Sequence, residues 1–235
     1  MANEVKETPA VPVAPLGGDQ ISLTEVQGDT SDFLERNQKT ILLVVGVLVA
    51  IAAGIFLFKK FVSEPKQAAA SEMMWKAQQM FERDSFSLAL SNPAPGYLGF
   101  LDIADEYSGT SAGNLANYYA GISYLQIGQY DDAIDYLESF SEDGSILPAT
   151  KNGALGDAFA QKGDLSTAEG YYESAVSESG DNTLLAPYYL NKLGMLRESQ
   201  GNKAAANELY KRIQTEFPNS NEAQDIQKYL MRTAG

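Results

Sequence analysis

The chain has 235 residues, a net charge of −14 at neutral pH, and neither cysteine nor histidine. The acidic charge argues against a nucleic-acid-binding protein, because few basic residues remain to neutralise phosphates. The lack of cysteine excludes disulfides and thiolate zinc sites. The lack of histidine removes the commonest general base and metal ligand. We therefore predict a protein that is not an enzyme and that needs no metal or other cofactor.

The N-terminal segment has the composition of a disordered tail. Its stretch TPAVPVAPLGGD, residues 8–19, is rich in proline and glycine and contains no aromatic residue. Such a segment cannot bury enough apolar surface to offset the entropy lost on folding. We predict a disordered acidic tail over residues 1–31.

A long apolar stretch follows the tail. Residues 40–58 are 19 consecutive uncharged residues between Lys39 and Lys59. A helix of that length spans roughly 28 Å, close to the hydrocarbon thickness of a bilayer. A cleaved signal peptide is the alternative, but the stretch is too long for one and follows an acidic tail. We predict a single transmembrane helix with its flanks over residues 32–62.

Small residues recur at every fourth position of this helix, at Gly46, Ala50 and Gly54. This spacing places them on one face, where another membrane helix can approach closely. We predict a helix contact at these three residues. Small residues are also common in membrane helices generally, and that alternative stays open.

Residues 63–235 have the composition of a helical domain. Pro65 suits the first turn of a helix, and a proline- and glycine-rich loop, residues 90–96, separates that helix from the next. The sequence predicts a degenerate helical hairpin over 65–107. It also predicts a capping helix over 221–232.

Between these two elements the sequence repeats itself three times. Three sets of small residues fall in register, separated by 35 and then 38 residues: Gly121, Gly156 and Gly194; Gly128, Gly163 and Gly201; Ala133, Ala168 and Ala206. We interpret the first glycine as a close approach between two helices and the second as a left-handed helix end. The alanine then lies in the second helix of the hairpin, at the point where that helix crosses the first one. Because one hairpin cannot cover its own apolar face, the units must stack.

This spacing resembles the tetratricopeptide repeat, with repeats over 114–147, 149–182 and 187–220. The predicted fold is all-α, with a single N-terminal transmembrane helix followed by a tetratricopeptide-repeat-like α-solenoid. In that family the first helix of each hairpin lines a concave surface that binds partner proteins. Carried over by register, the candidate binding residues are Leu115, Tyr118, Ile122, Leu125, Thr150, Asp157, Ala160, Tyr188, Asn191, Met195 and Glu198. Several of them have an alternative role as core residues.

The charges are unevenly distributed along the domain. Residues 85–150 contain no lysine or arginine. We predict an acidic patch on one helix, formed by Asp131, Asp132, Asp135 and Glu138. Such a surface can steer a basic partner or keep a sticky client in solution. A solvated helix face is the alternative.

The lead into the span, DFLERNQKTILLVVGVLVA, resembles the start of the YfgM-type ancillary subunits of the bacterial Sec translocon. The resemblance lies mostly at Phe33, Asn37, Lys39 and Gly46. It implies a single-pass protein of the bacterial inner membrane, with a cytoplasmic N-terminus and periplasmic repeats. The implied partners are the membrane subunits of the Sec translocon, a periplasmic prolyl isomerase and newly exported polypeptides.

The charges that flank the span slightly favour the opposite orientation, with cytoplasmic repeats. Three lysines follow the span, Lys59, Lys60 and Lys66, and only Arg36 and Lys39 precede it closely.

A repeat scaffold for another envelope complex, in cell-wall synthesis or division, is the alternative function.

Overall fold

The computed structural model describes residues 23–141 and 146–234, and side chains from Arg36 onward. Its contacts divide the chain into two compact units, one ending at Leu57 and one beginning at Phe58. All the regular elements over the described residues are helices, and one isolated bridge joins Ala94 to Tyr97. The predicted all-α class is therefore confirmed.

Helix α1 runs from Leu23 to Phe58. It begins within the predicted tail, so the prediction of disorder is wrong for residues 23–31. The reason is compositional, since the proline- and glycine-rich stretch ends at Gly18 and helix-compatible residues follow. The remainder of the predicted tail, residues 1–22, lies outside the described residues.

The apolar part of α1 is long and apolar enough to cross a membrane, and its side chains are not buried within the chain. Leu43, Phe56 and Phe58 are each more than half exposed. One π-helical turn, Lys59–Ser63, follows α1. This exposure is what a bilayer-facing helix requires, because lipid provides the apolar environment that water does not.

The degenerate hairpin has a divided second arm. Helix α2 covers Glu64–Phe81, and the second arm consists of α3, Phe86–Ser91, and α4, Phe100–Glu106. Two prolines and Gly96, whose φ is +79°, lie between α3 and α4. They interrupt the helix because proline lacks an N–H group and a left-handed residue cannot continue the helix.

Three regular hairpins follow, built from α5 to α10. Their helices are α5 Ser111–Gln126, α6 Tyr130–Ser139, α7 Leu147–Gln161, α8 Leu165–Ser179, α9 Leu185–Ser199 and α10 Lys203–Glu216. The first helices begin two or three residues before the predicted repeat starts. Pro148 and Pro187 explain two of the shifts, because proline is accommodated within the first turn of a helix.

Glycine ends the first helix of each of the three regular hairpins. Gly128, Gly163 and Gly201 have φ values of +78°, +83° and +83°. The next residue caps the second helix in two cases: Asp164 accepts a hydrogen bond from Thr167 N at 3.1 Å, and Asn202 accepts one from Ala205 N at 3.3 Å. A left-handed glycine followed by a capping side chain therefore reverses the chain direction.

The two helices of each hairpin cross closely at a glycine. A methyl group in place of the glycine hydrogen would overlap the facing side chain: 2.5 Å from Leu137 Cγ at Gly121, 2.7 Å from Tyr172 Cδ1 at Gly156, and 2.6 Å from Tyr210 Cε1 at Gly194. The register alanines are completely buried: Ala133, Ala168 and Ala206. The predicted close crossing is thus confirmed in all three hairpins.

The C-terminal cap consists of two short helices rather than the single predicted helix. Helix α11 covers Asn221–Gln224 and α12 covers Ile226–Thr233. Asp225, at φ −101° and ψ 3°, leaves the helical conformation between them. The break turns Ile226 into the core of the last hairpin, where it is 2% exposed.

Candidate protein-binding groove

The first helices of the hairpins form one continuous layer. Helix α2 contacts α5, α5 contacts α7, and α7 contacts α9, while α6 and α8 each pack between two successive first helices and α10 packs between α9 and the C-terminal cap. Neighbouring first helices therefore approach one another closely, and this layer is the inner side of the solenoid. We call its exposed surface the groove.

All eleven sequence candidates lie on α5, α7 and α9, and none of them is fully buried. The structure divides them by environment. On α5, Leu115 packs against the core shared with α2 and α4, and Tyr118, Ile122 and Leu125 pack against the core between α6 and α7. Ala160 packs similarly against the core of the last hairpins. These five are partly core residues, which was the alternative interpretation.

Tyr118 and Thr150 join two first helices. The Tyr118 hydroxyl donates a hydrogen bond to Thr150 Oγ1 at 3.0 Å, and Thr150 Oγ1 donates to Leu147 O at 3.0 Å. Burial raises the pKa of Tyr118 above its usual value. The pair therefore fixes the spacing between α5 and α7 at the groove floor and remains uncharged at neutral pH.

Asp157 lies at the centre of a charged network. Lys192 Nζ lies 2.6 and 2.8 Å from the two Asp157 carboxylate oxygens, and the Tyr172 hydroxyl donates to Oδ1 at 2.6 Å. Lys192 Nζ also lies 5.1 Å from the centre of the Tyr188 ring. Burial lowers the pKa of Lys192, but the hydrogen bond and charge of Asp157 outweigh it, so the pKa is raised overall. Lysine and aspartate thus stay paired and leave little net charge here.

Glu198 forms an ion pair with the C-terminal cap. The Arg232 guanidinium contacts both of its carboxylate oxygens, and the Tyr210 hydroxyl donates to Oε2 at 3.1 Å. The hydrogen bond from Arg232 lowers the pKa of Glu198 below its usual value. Glu198 therefore holds α12 against α9, a role that its sequence position did not indicate.

The most accessible part of the groove is an apolar stripe along α9. Leu184, just before the helix, is 67% exposed, Tyr188 is 42% exposed and Met195 is 48% exposed. Asn191 lies between Tyr188 and Met195 on the same face, since the four residues follow helical spacing. Exposed apolar side chains grouped on one face mark a contact surface for another molecule.

The groove also extends to α2, the first helix of the predicted degenerate hairpin, which contributed no candidate binding residue from the sequence. Gln67, Ser71, Met74 and Gln78 line a cavity of about 250 Å³ that continues to Ser111 and Leu115 on α5. The signal that could have found them is their spacing, because positions 67, 71, 74 and 78 share one helix face. Because α2 lacks the register glycine, no candidate binding positions could be carried over to it from the other repeats.

The predicted acidic patch lies on α6, where Asp131, Asp132, Asp135 and Glu138 are all exposed. Asp131 is in contact with Lys162 at the end of α7. The pKa of Tyr136 is raised by burial and then by the charges of Asp132 and two aspartates of α4, Asp105 and Asp102. The acidic surface therefore extends from α6 onto α4.

The small-residue face of α1 is open in this structure. Gly46, Ala50 and Gly54 are exposed, and a methyl group on either glycine would meet nothing within 4 Å.

Over the described part of the chain, no group of three acidic, histidine or cysteine side chains is arranged to hold a metal ion.

Comparison with known proteins identifies the hairpins. Residues 118–183 and 154–221 match the family model of the tetratricopeptide repeat. A single-substitution variant of a Podospora anserina protein, described as a kinesin light chain with nearly identical TPR-like repeats, has a similar solved structure. Its TM-score is 0.56 at 13% identity, covering 71% of this chain and 85% of that chain. Comparison with curated proteins finds no match. The matched hairpins therefore resemble tetratricopeptide repeats, and the structural likeness shows the fold.

Proposed function

We propose that this protein is a membrane-anchored adaptor of the bacterial Sec export channel. In this proposal the N-terminus is cytoplasmic, the span lies in the inner membrane and the repeats lie in the periplasm. The repeats associate with the channel subunits and a periplasmic prolyl isomerase, and they bind newly exported polypeptides on the way to their chaperones. The acidic surface on α6 and α4 keeps the loaded adaptor soluble.

One observation carries the proposal: a chain with a membrane-spanning helix also presents a groove with an exposed apolar stripe. Leu184, Tyr188 and Met195 have no core to fill at that face. Tetratricopeptide repeats are a scaffold for protein contacts, and an exported chain is unfolded and apolar when it leaves the channel. The resemblance around Phe33 and Asn37 supports the choice of the Sec channel.

The expected affinity of the groove suits the transfer of an exported chain to a chaperone. Full burial of a large apolar side chain contributes about 1.5–3 kcal/mol, and the stripe offers three half-exposed ones. Ordering an extended chain offsets much of that gain. These contributions alone fall short of the roughly 8 kcal/mol that a micromolar complex requires, so we expect weak binding with a short lifetime, which lets a client leave for the next chaperone.

Isolation of the full-length protein in mild detergent tests this function. We expect the Sec channel subunits and a periplasmic prolyl isomerase to co-purify with it. A photocrosslinking residue at Tyr188 is expected to trap exported chains, whereas one at the outward-facing Asp132 serves as the control and traps far fewer. Recovery of cell-wall synthesis or division proteins in place of the channel would contradict the proposal and favour the envelope scaffold.

The orientation is tested with a single cysteine. The natural sequence contains none, so an Asn219→Cys variant carries one thiol in an exposed turn. We expect a membrane-impermeant thiol reagent to label it in cells with a permeabilised outer membrane. Labelling that requires lysis of the inner membrane would place the repeats in the cytoplasm.

A further inference from the structure

Helix α2 has an uncovered side. It contacts α3, α4 and α5, and the residues that it buries against them lie on one side: Ala70, Met74 and Ala77. On the opposite side Ala68, Glu72 and Trp75 are exposed at helical spacing, and we call these three residues the outward face of α2. At the other end of the solenoid, α11 and α12 cover the last hairpin. The row of repeats is therefore closed by a cap after α10 and open at α2.

Trp75 is the main apolar residue of the outward face. It is the only tryptophan of the chain and is 56% exposed. The outer face of a terminal repeat is normally polar, because no further repeat covers it. Tryptophan is also among the residues that contribute most to binding energy in protein interfaces. An exposed tryptophan at the open end therefore indicates contact with a second molecule.

The charges of α2 are balanced, with two acids and two bases: Glu64, Lys66, Glu72 and Lys76. Glu64 forms an ion pair with Lys60 of the preceding π-helical turn at 3.4 Å. Lys66 Nζ donates to Ser108 O at 3.3 Å. Glu72 and Lys76 lie one turn apart beside Trp75, and neither has an ion-pair partner within the described part of the chain. A partner that presents one base and one acid can pair with both.

A second copy of this chain has that chemistry at α2 and is repelled at other helices. Helices α4, α6 and α8 contain acids but no lysine or arginine. Because each copy has a net charge of −14, contacts through these helices bring like charges together. Helix α2 has no net charge, and Glu72 of one copy can pair with Lys76 of the other in both directions. Charge complementarity therefore favours a second copy at this face.

We infer that the outward face of α2 forms a dimer contact with the same face of a second copy. Copies that cross one membrane in the same direction are related by a two-fold axis along the membrane normal, so identical residues lie at equal height. The two Trp75 rings meet near this axis. Ala68, two turns earlier, lets the helices approach closely, and each Glu72 pairs with Lys76 of the other copy, as charges do across parallel helix pairs.

The membrane strengthens this small contact. Helix α2 has 18 residues and is about 27 Å long. One helix pair of that length buries less than the roughly 1,200–2,000 Å² of a stable interface. Copies in one bilayer, however, share a small volume, which raises their effective concentration. We therefore expect dimers in the membrane that dissociate when detergent dilutes the protein.

Intrinsic fluorescence of the full-length protein in detergent micelles tests the inference, because its tryptophan emission comes from Trp75 alone. We expect the emission maximum to move to shorter wavelength as the protein-to-detergent ratio rises, since the dimer removes the ring from water. Glu72→Lys and Lys76→Glu should each shift this change to higher ratios, because like charges then face each other. The double variant restores opposite charges and should return the change to the wild-type ratio.

Disulfide crosslinking in isolated membranes provides a second test. The natural chain has no cysteine, and an Ala68→Cys variant places one thiol of each copy close to the two-fold axis. We expect a mild oxidant to convert this variant into covalent dimers, whereas the exposed Asn219→Cys variant stays monomeric. Adding Trp75→Ala to Ala68→Cys should weaken the dimer at least about tenfold. It should leave the melting temperature unchanged, because Trp75 is exposed.

Three outcomes overturn the inference: emission that does not depend on the protein-to-detergent ratio, a double charge reversal that fails to restore the wild-type change, or equal crosslinking of the two cysteine variants. If Trp75→Ala removes the Sec subunits while Ala68→Cys forms no dimer, a different membrane protein covers α2 and the inference is wrong. Dimers without co-purification of the Sec subunits would refute only the proposed function.

Discussion

Replacing Tyr210 by alanine is expected to lower the free energy of unfolding by about 3–5 kcal/mol, the usual loss for a large buried ring. Tyr210 is fully buried, and its ring fills the space against Gly194. Its ring centre lies 5.1 Å from that of Tyr229 in the cap, and its hydroxyl donates to Glu198. Burial and the bond to Glu198 raise the pKa of Tyr210, so it remains a neutral donor at physiological pH. The substitution therefore loosens α9, α10 and α12 together.

Urea unfolding of the full-length protein, followed by circular dichroism, measures this effect. Tyr188→Ala is the matched control, because Tyr188 belongs to the same hairpin but is 42% exposed. It should unfold within about 1 kcal/mol of the wild type, since exposed substitutions remove little packing. Tyr210→Phe should fall between them, as it keeps the ring and loses the hydrogen bond. Equal unfolding midpoints for the two alanine variants would refute the assigned close crossing.

The hairpins could be predicted because their determinants are local in sequence. Gly163 adopts the left-handed conformation that ends a helix, and Gly156 opposes Tyr172 only 16 positions later. The same pattern of small residues occurs in three repeats, and this recurrence makes it recognisable where a single copy would not be. The fold class and the turn positions followed from this register alone.

The groove required the three-dimensional structure. Asp157 and Lys192 are 35 residues apart, and Glu198 and Arg232 are 34 apart, so no local pattern pairs them. Without these pairs, the groove looks charged in the sequence. The role of α2 was hidden for a different reason: the helix that contains Gln67 and Met74 lacks the register glycine of the other first helices.

Leucine at Gly46, Ala50 and Gly54 together is expected to abolish co-purification with the Sec channel subunits without disturbing insertion. Leucine is among the residues most favourable at the centre of a membrane helix, so insertion should be normal. The repeats lie outside the substituted segment, so their melting temperature should not change. Close packing against another membrane helix would be lost, because three leucine side chains would keep the backbone of that helix at a distance.

The small residues of the chain have different neighbours, and this contrast motivates the experiment. At Gly121, Gly156 and Gly194 a methyl group would overlap a side chain of the same chain, which explains the glycine. At Gly46 and Gly54 it would meet nothing within 4 Å among the described residues. Packing among the described residues therefore gives no reason for glycine on α1, and a second membrane protein would supply one.

A control variant on the opposite face separates a helix contact from a general effect of added leucine. At about 100° per residue, the opposite face of α1 contains Val45, Ala52 and Ile55. Leucine at these three positions should leave co-purification intact. If both triple variants recover the channel as well as the wild type does, the association resides in the repeats or the N-terminal segment, and the span serves only as an anchor. If only the variant at Gly46, Ala50 and Gly54 loses the channel while its repeats remain folded, the span itself contacts the channel.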